Sequence, residues 1–194
     1  MEYNESLQVC DPEVTKIKFA SEVSKFKAVE NIYRAKGIIC SKIFFPDIYF
    51  IFAIPKLTPP LIAYSVRINF VNYDSEPPSV VFVNSFTEEL VRRDQVPIAF
   101  IQVNKNNPFQ PIDLLQGNGD MVPFFCIPGI REYHNHSAHS GDSWFLYRTR
   151  GEGSLLFILD QLYNYSIGIS KGYQIVLNLA AFNLQVQQEI NIIQ

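Results

Sequence analysis

The side chains able to do chemistry are concentrated in one stretch, Cys126–Trp144, which reads CIPGIREYHNHSAHSGDSW. All three histidines of the chain, His134, His136 and His139, fall inside it, with Cys126 and Glu132 upstream and Asp142 downstream. Two chemistries fit these residue types. Thiolate, imidazole and carboxylate together suit zinc or iron better than calcium or magnesium, provided the donors converge on one ion at about 2.0–2.4 Å. On that reading the metal ligands are Cys126, Glu132, His134, His136 and His139, and zinc is the expected ion. An extended chain puts Glu132, His134 and His136 on one face. His136 and His139 instead have the spacing of a turn or helix, so the expected geometry is a strand that turns at Ser137-Ala138. Pro128-Gly129 lets the chain fold back toward Cys126.

The second chemistry is nucleophilic. A cysteine needs a neighbouring base or a lowered pKa. His134 or His136 is the expected base, making Cys126, His134 and His136 the catalytic set, with Glu132 or Asp142 orienting the imidazole. A thiolate bound to metal is not a free nucleophile, so the two readings exclude each other in any one state. A single buried cysteine is usually just a small apolar residue; it is the cluster around Cys126 that marks a site.

These residues need a scaffold. Asp11-Pro12-Glu13 has a cap, a proline at the first helical position and an acid in the first turn, which starts a helix. The spacing of Phe19, Val23, Phe26, Val29 or Ile32, and Tyr33 carries that helix to Lys36, with Gly37 as its stop. Ile38–Phe45 and Ile48–Ile54 read as strands broken at Pro46-Asp47, and Leu61–Val71 alternates like a half-buried antiparallel strand. Tyr73 to Pro78 is a turn, because two prolines fix φ and remove two donors; Ser79–Val83 is the next strand. Phe86–Arg93 suggests one or two helical turns, Ile98–Val103 a strand, and Asn104–Gly119 a surface loop. Pro123–Ile127 is a short apolar stretch that delivers Cys126. Ser154 caps an amphipathic helix over 154–166, built on Leu155, Leu156, Leu159, Leu162 and Tyr163. The tail opens as a strand at Tyr173–Leu179 and ends in a Gln-rich segment whose apolar spacing suits a helix or a partner surface. The expectation is an arm over residues 1–10 and a single α+β domain over 11–194, an antiparallel meander between an N-terminal helix and C-terminal helices.

The 194 residues are 47% hydrophobic and 18% charged, with a net charge of −3 and no basic run, which argues against nucleic acid as a partner. Three widely spaced cysteines point to a reducing cytoplasm rather than a disulfide framework. The start of the chain lacks the pattern of a signal peptide. The most apolar run, Ile43–Ile54, is interrupted and too short to span a bilayer, so no membrane association is expected.

The stretch carrying Cys126, Glu132 and the three histidines resembles a bacterial family with a Cys-Glu-His-His signature, described as metal-binding. Its members sit beside genes for ubiquitin-like proteins, activating enzymes and deubiquitinase-like peptidases. Over roughly residues 12–166 the chain also resembles the ubiquitin-conjugating enzymes. The N-terminal helix, the meander, the segment Phe70–Phe82 with its Pro77-Pro78 turn, Gly119-Asp120 before Phe125-Cys126-Ile127, Trp144 and the helix at 154–166 follow in that family's order. The family's His-Pro-Asn element is missing, with Asn84-Ser85-Phe86 near its place, and the distance from Pro78 to Cys126 implies an insertion around 85–118. The resemblance implies a role in a ubiquitin-like conjugation pathway, with a ubiquitin-like protein and its activating enzyme as partners and Cys126 accepting or positioning the ubiquitin-like C-terminus. A catalytically silent scaffold of the same fold is the third expectation.

Overall fold

The computed structural model describes residues 9–104, 107, 110–117, 119, 121–178 and 183–190. The expected arm over 1–10 lies outside the described residues, save for Val9 and Cys10, whose backbone N–H groups donate to the Asn72 side chain at 2.9 and 3.2 Å.

Helix α1, Pro12–Ala35, begins where its sequence begins it: the Asp11 side chain accepts the Glu13 N–H and Pro12 stands in the first turn. Phe19, Phe26 and Tyr33 recur every seven residues and are buried, whereas Ile32 is 60% exposed, so Val29 rather than Ile32 joins the packed face. Gly37 ends the helix with φ +90°, and a Cβ there would lie 2.3 Å from the Ala53 carbonyl oxygen.

Strands β1 (Ile38–Phe44), β2 (Asp47–Ile54), β3 (Leu61–Asn69) and β4 (Ser79–Val83) form an antiparallel sheet in sequential order. β4 is buried at every position and β2 at six of eight, since α1 covers one face and the chain beyond β4 covers further surface. Phe26, Phe50, Phe52, Phe70, Phe82, Phe100 and Phe125 are fully buried and make the core largely aromatic.

Beyond β4 the expectations change. Phe86–Arg93 is not helical: it turns, bridges back from Leu90 to Val83, and leads into a 3-10 turn at Arg93–Gln95. Only Ile101–Gln102 of the expected strand pairs (β5), with β6 (Ile112–Asp113); β7 (Leu115–Gln116) pairs with β8 (Phe124–Phe125). The polar run 104–119 is therefore not one loop, because Leu114 and Leu115 are buried and pull it onto the core. Helix α2 spans Arg131–Asn135 and α3 spans Leu155–Asn164, the latter capped by Ser154 as its sequence implies. The tail forms a hairpin of β9 (Ser170–Asn178) and β10 (Asn183–Ile190), not a strand followed by a helix. Among the described residues no helix is long and apolar enough to cross a membrane.

Candidate functional site

The site is assembled from the end of β8 and the turns that follow it. Phe125 is fully buried against Phe100, ring centroids 5.3 Å apart. The next residue donates its backbone N–H to the Leu114 carbonyl at 2.7 Å, which leaves the Cys126 side chain half-buried at the surface of the core. Ile127 and Ile130 are buried, and between them Pro128-Gly129 reverses the chain. Gly129 has φ +95°, and a Cβ on it would meet the Gly153 nitrogen at 2.5 Å, so two loops touch backbone to backbone here.

The histidine stretch is not a strand. It opens as one turn of α-helix, α2, because Ile130 and Tyr133, at helical spacing, are both buried. A 3-10 turn at Ser137–His139 follows, and the backbone bonds His139 N–H to His136 O and Asp142 N–H to His139 O, each 2.9 Å, wind the chain back over α2. The expected alternation of Glu132, His134 and His136 on one face is thereby lost.

Each predicted residue has a definite place. The Glu132 carboxylate takes the Ser79 hydroxyl and, at 3.1 Å, the Val80 N–H, fastening α2 to β4. His134 has both ring nitrogens engaged: Nδ1 donates to the Asp142 carbonyl at 2.7 Å, and Nε2 accepts the Gly129 N–H at 3.2 Å. Burial lowers its pKa and keeps the ring neutral, as this pattern of one donor and one acceptor requires. His136 is exposed; its Nδ1 accepts the Ala138 N–H at 3.3 Å and its ring lies 5.2 Å from Phe124.

The imidazole that reaches the cysteine is His139. Its Nε2 stands 3.4 Å from Cys126 Sγ, and its Nδ1 3.7 Å from Asp142 Oδ2. The carboxylate favours the tautomer with hydrogen on Nδ1, which leaves the Nε2 lone pair facing the thiol. Burial raises the Cys126 pKa, so the resting thiol keeps its proton until a base removes it. Thiol, imidazole and carboxylate thus stand in the order a cysteine nucleophile needs. His139, rather than His134 or His136, is the histidine beside Cys126, and Asp142, rather than Glu132, is the carboxylate beside that ring.

Tyr133 belongs to this arrangement and was not legible as part of it. Its ring stacks on His139 at 3.8 Å and 20°, and its hydroxyl donates to Asp142 Oδ2 at 2.7 Å. The only sequence signal for it is the helical spacing from Ile130.

The five expected metal ligands do not form one shell. Cys126 and His139 meet, Glu132 and His134 are spent on other partners, and among the described residues no three Cys, His, Asp or Glu side chains converge on a point a metal could occupy.

The sequence profile of the Y4jH-like family matches residues 10–169, from the cap of α1 to the turn after α3, and so includes every residue of the site. A protein of Sinorhizobium fredii, carrying the name uncharacterized protein y4jH, is 38% identical over 195 residues, covering 93% of this chain and 95% of its own.

Proposed function

We propose that this chain, which belongs to the Y4jH-like family, is a cysteine-based acyl carrier of the ubiquitin-conjugating kind, taking a ubiquitin-like C-terminus onto Cys126. The observation that carries the reading is the alignment of Cys126 Sγ, the His139 ring and Asp142, at 3.4 and 3.7 Å. The helix-then-meander order of α1 and β1–β4, the Pro77-Pro78 turn into β4 and the position of Cys126 after it support the conjugating-enzyme comparison.

In the loading step His139 Nε2 removes the proton from Cys126. The thiolate attacks the carbonyl carbon of the ubiquitin-like C-terminus, held as a thioester on its activating enzyme. A new C–S bond forms, the old one breaks, and the departing thiolate takes the proton back from His139. Asp142 stabilises the imidazolium in between. An incoming amine can discharge the acyl group with the same imidazole as base.

The test is to mix the protein with a ubiquitin-like protein of the same organism, its activating enzyme and ATP. A thiol-sensitive adduct that disappears in Cys126→Ala supports the reading, and no adduct overturns it. A silent scaffold predicts partner binding that survives Cys126→Ala. Zinc is the remaining rival. It requires His136, whose ring centroid is 5.8 Å from that of His139, to swing in beside Cys126 and His139. Elemental analysis of protein purified without added metal separates the two, because stoichiometric zinc on Cys126 leaves no free nucleophile.

A further inference from the structure

The Asp142 carboxylate oxygen that faces His139 is not within hydrogen-bond distance of it. Oδ2 lies 3.7 Å from His139 Nδ1 but 2.7 Å from the Tyr133 hydroxyl. Asp142 is 41% exposed at its side chain, and among the described residues the Tyr133 hydroxyl is the group that donates a hydrogen bond to its carboxylate. The Tyr133 ring is buried and lies flat on His139 at 3.8 Å. One residue therefore touches both groups that serve the thiol, and it comes from α2, the element clasped to β4 through Glu132.

We infer that Tyr133 is a positioning residue for His139, its ring holding the plane of the imidazole and its hydroxyl holding Asp142 at ion-pair range. Without the hydroxyl the carboxylate turns to solvent, the imidazolium loses its counter-charge, and proton transfer from Cys126 becomes harder. Burial and the Asp142 charge both push the Tyr133 phenol well above the ordinary tyrosine range, so it remains a donor throughout the working pH of any thiol. This rests on the reading of Cys126 and His139 as nucleophile and base, and extends it to the group that positions the base.

The experiment is alkylation of the intact, full-length protein with iodoacetamide from pH 5.5 to 9.5, reading Cys126 alone by peptide mass spectrometry. Tyr133→Phe keeps the stacked ring and removes only the hydroxyl. The expected result is a rate about three- to tenfold lower at pH 7, with the inflection displaced to higher pH, the size of a weakened partly exposed ion pair. Asp142→Asn gives a similar change, and the double variant is no slower than Asp142→Asn alone, because both act through one contact. If Tyr133→Phe matches or exceeds the unaltered protein while His139→Ala is slow, the inference about Tyr133 fails and the Cys126–His139 pair stands. If His139→Ala leaves the profile unchanged, the pair itself fails and Tyr133 with it.

Discussion

The Glu132 carboxylate accepts the backbone N–H of Val80 at 3.1 Å while its other oxygen holds the Ser79 hydroxyl. An acid that sits among histidines in the sequence is thus a clasp between α2 and the buried strand β4. Glu132→Ala leaves two donors without this partner and is expected to destabilise the fold by about 1–3 kcal/mol. Chemical denaturation, read as a lower midpoint at unchanged slope, checks this. A loss of bound zinc with no loss of stability would contradict it.

His139 is the base in the proposed loading step, so His139→Ala should slow thioester formation on Cys126 by about a hundredfold or more. His136→Ala, which removes an exposed ring whose Nδ1 accepts the Ala138 N–H, should change it by less than about threefold, as exposed substitutions away from the reacting groups do. Single-turnover kinetics with a ubiquitin-like thioester donor distinguishes the two histidines.

His134 makes a stability prediction with a definite sign. Burial lowers its folded pKa below the unfolded value. The unfolded chain therefore binds more protons as pH falls through about 6.5, the unfolded histidine value. The stabilisation from the neutral, doubly bonded ring is complete above that pH and is lost as pH falls toward the lowered folded pKa. Unfolding free energies measured from pH 8 down to pH 5 should decline in the native chain. The decline should flatten in His134→Gln, which lacks the titrating group.

Gly129→Ala is predicted to cost about 2 kcal/mol or more, since a side chain there is strained at φ +95° and meets the Gly153 backbone nitrogen at 2.5 Å. Gly119→Ala, where a Cβ would meet nothing within 4 Å, is the control and should be close to neutral. Thermal melts of the two variants side by side test the pair.

Much of the scaffold was legible because burial repeats in the sequence. Asp11-Pro12 and Gly37 bound α1 to within a residue or two, β1 to β4 fall close to the apolar runs and the alternating segment read as strands, and Ser154 caps α3. The region after β4 was not, because its contacts are long-range: Leu115 pairs with Phe125 and Cys126 bonds to Leu114, and no local period announces either. At the site, the alternation of Glu132, His134 and His136 imitates a strand, but Ile130 and Tyr133 are the residues that bury, and they dictate a helix. Once α2 forms, Glu132 is directed to β4 and His134 into the Gly129 turn, leaving His139, thirteen residues from Cys126, to meet the thiol.

The Trp144 indole N–H donates to the Asp74 carbonyl at 2.8 Å, and Arg131 donates to the Val71 carbonyl at 2.5 Å. Both ends of the segment that carries His139 and Asp142 are moored to a turn sixty to seventy residues earlier in the chain. The placement of His139 beside Cys126 therefore depends in part on contacts remote from either. A lesion in Val71–Asp74 that removes these moorings is expected to loosen His139 from Cys126 without altering either residue.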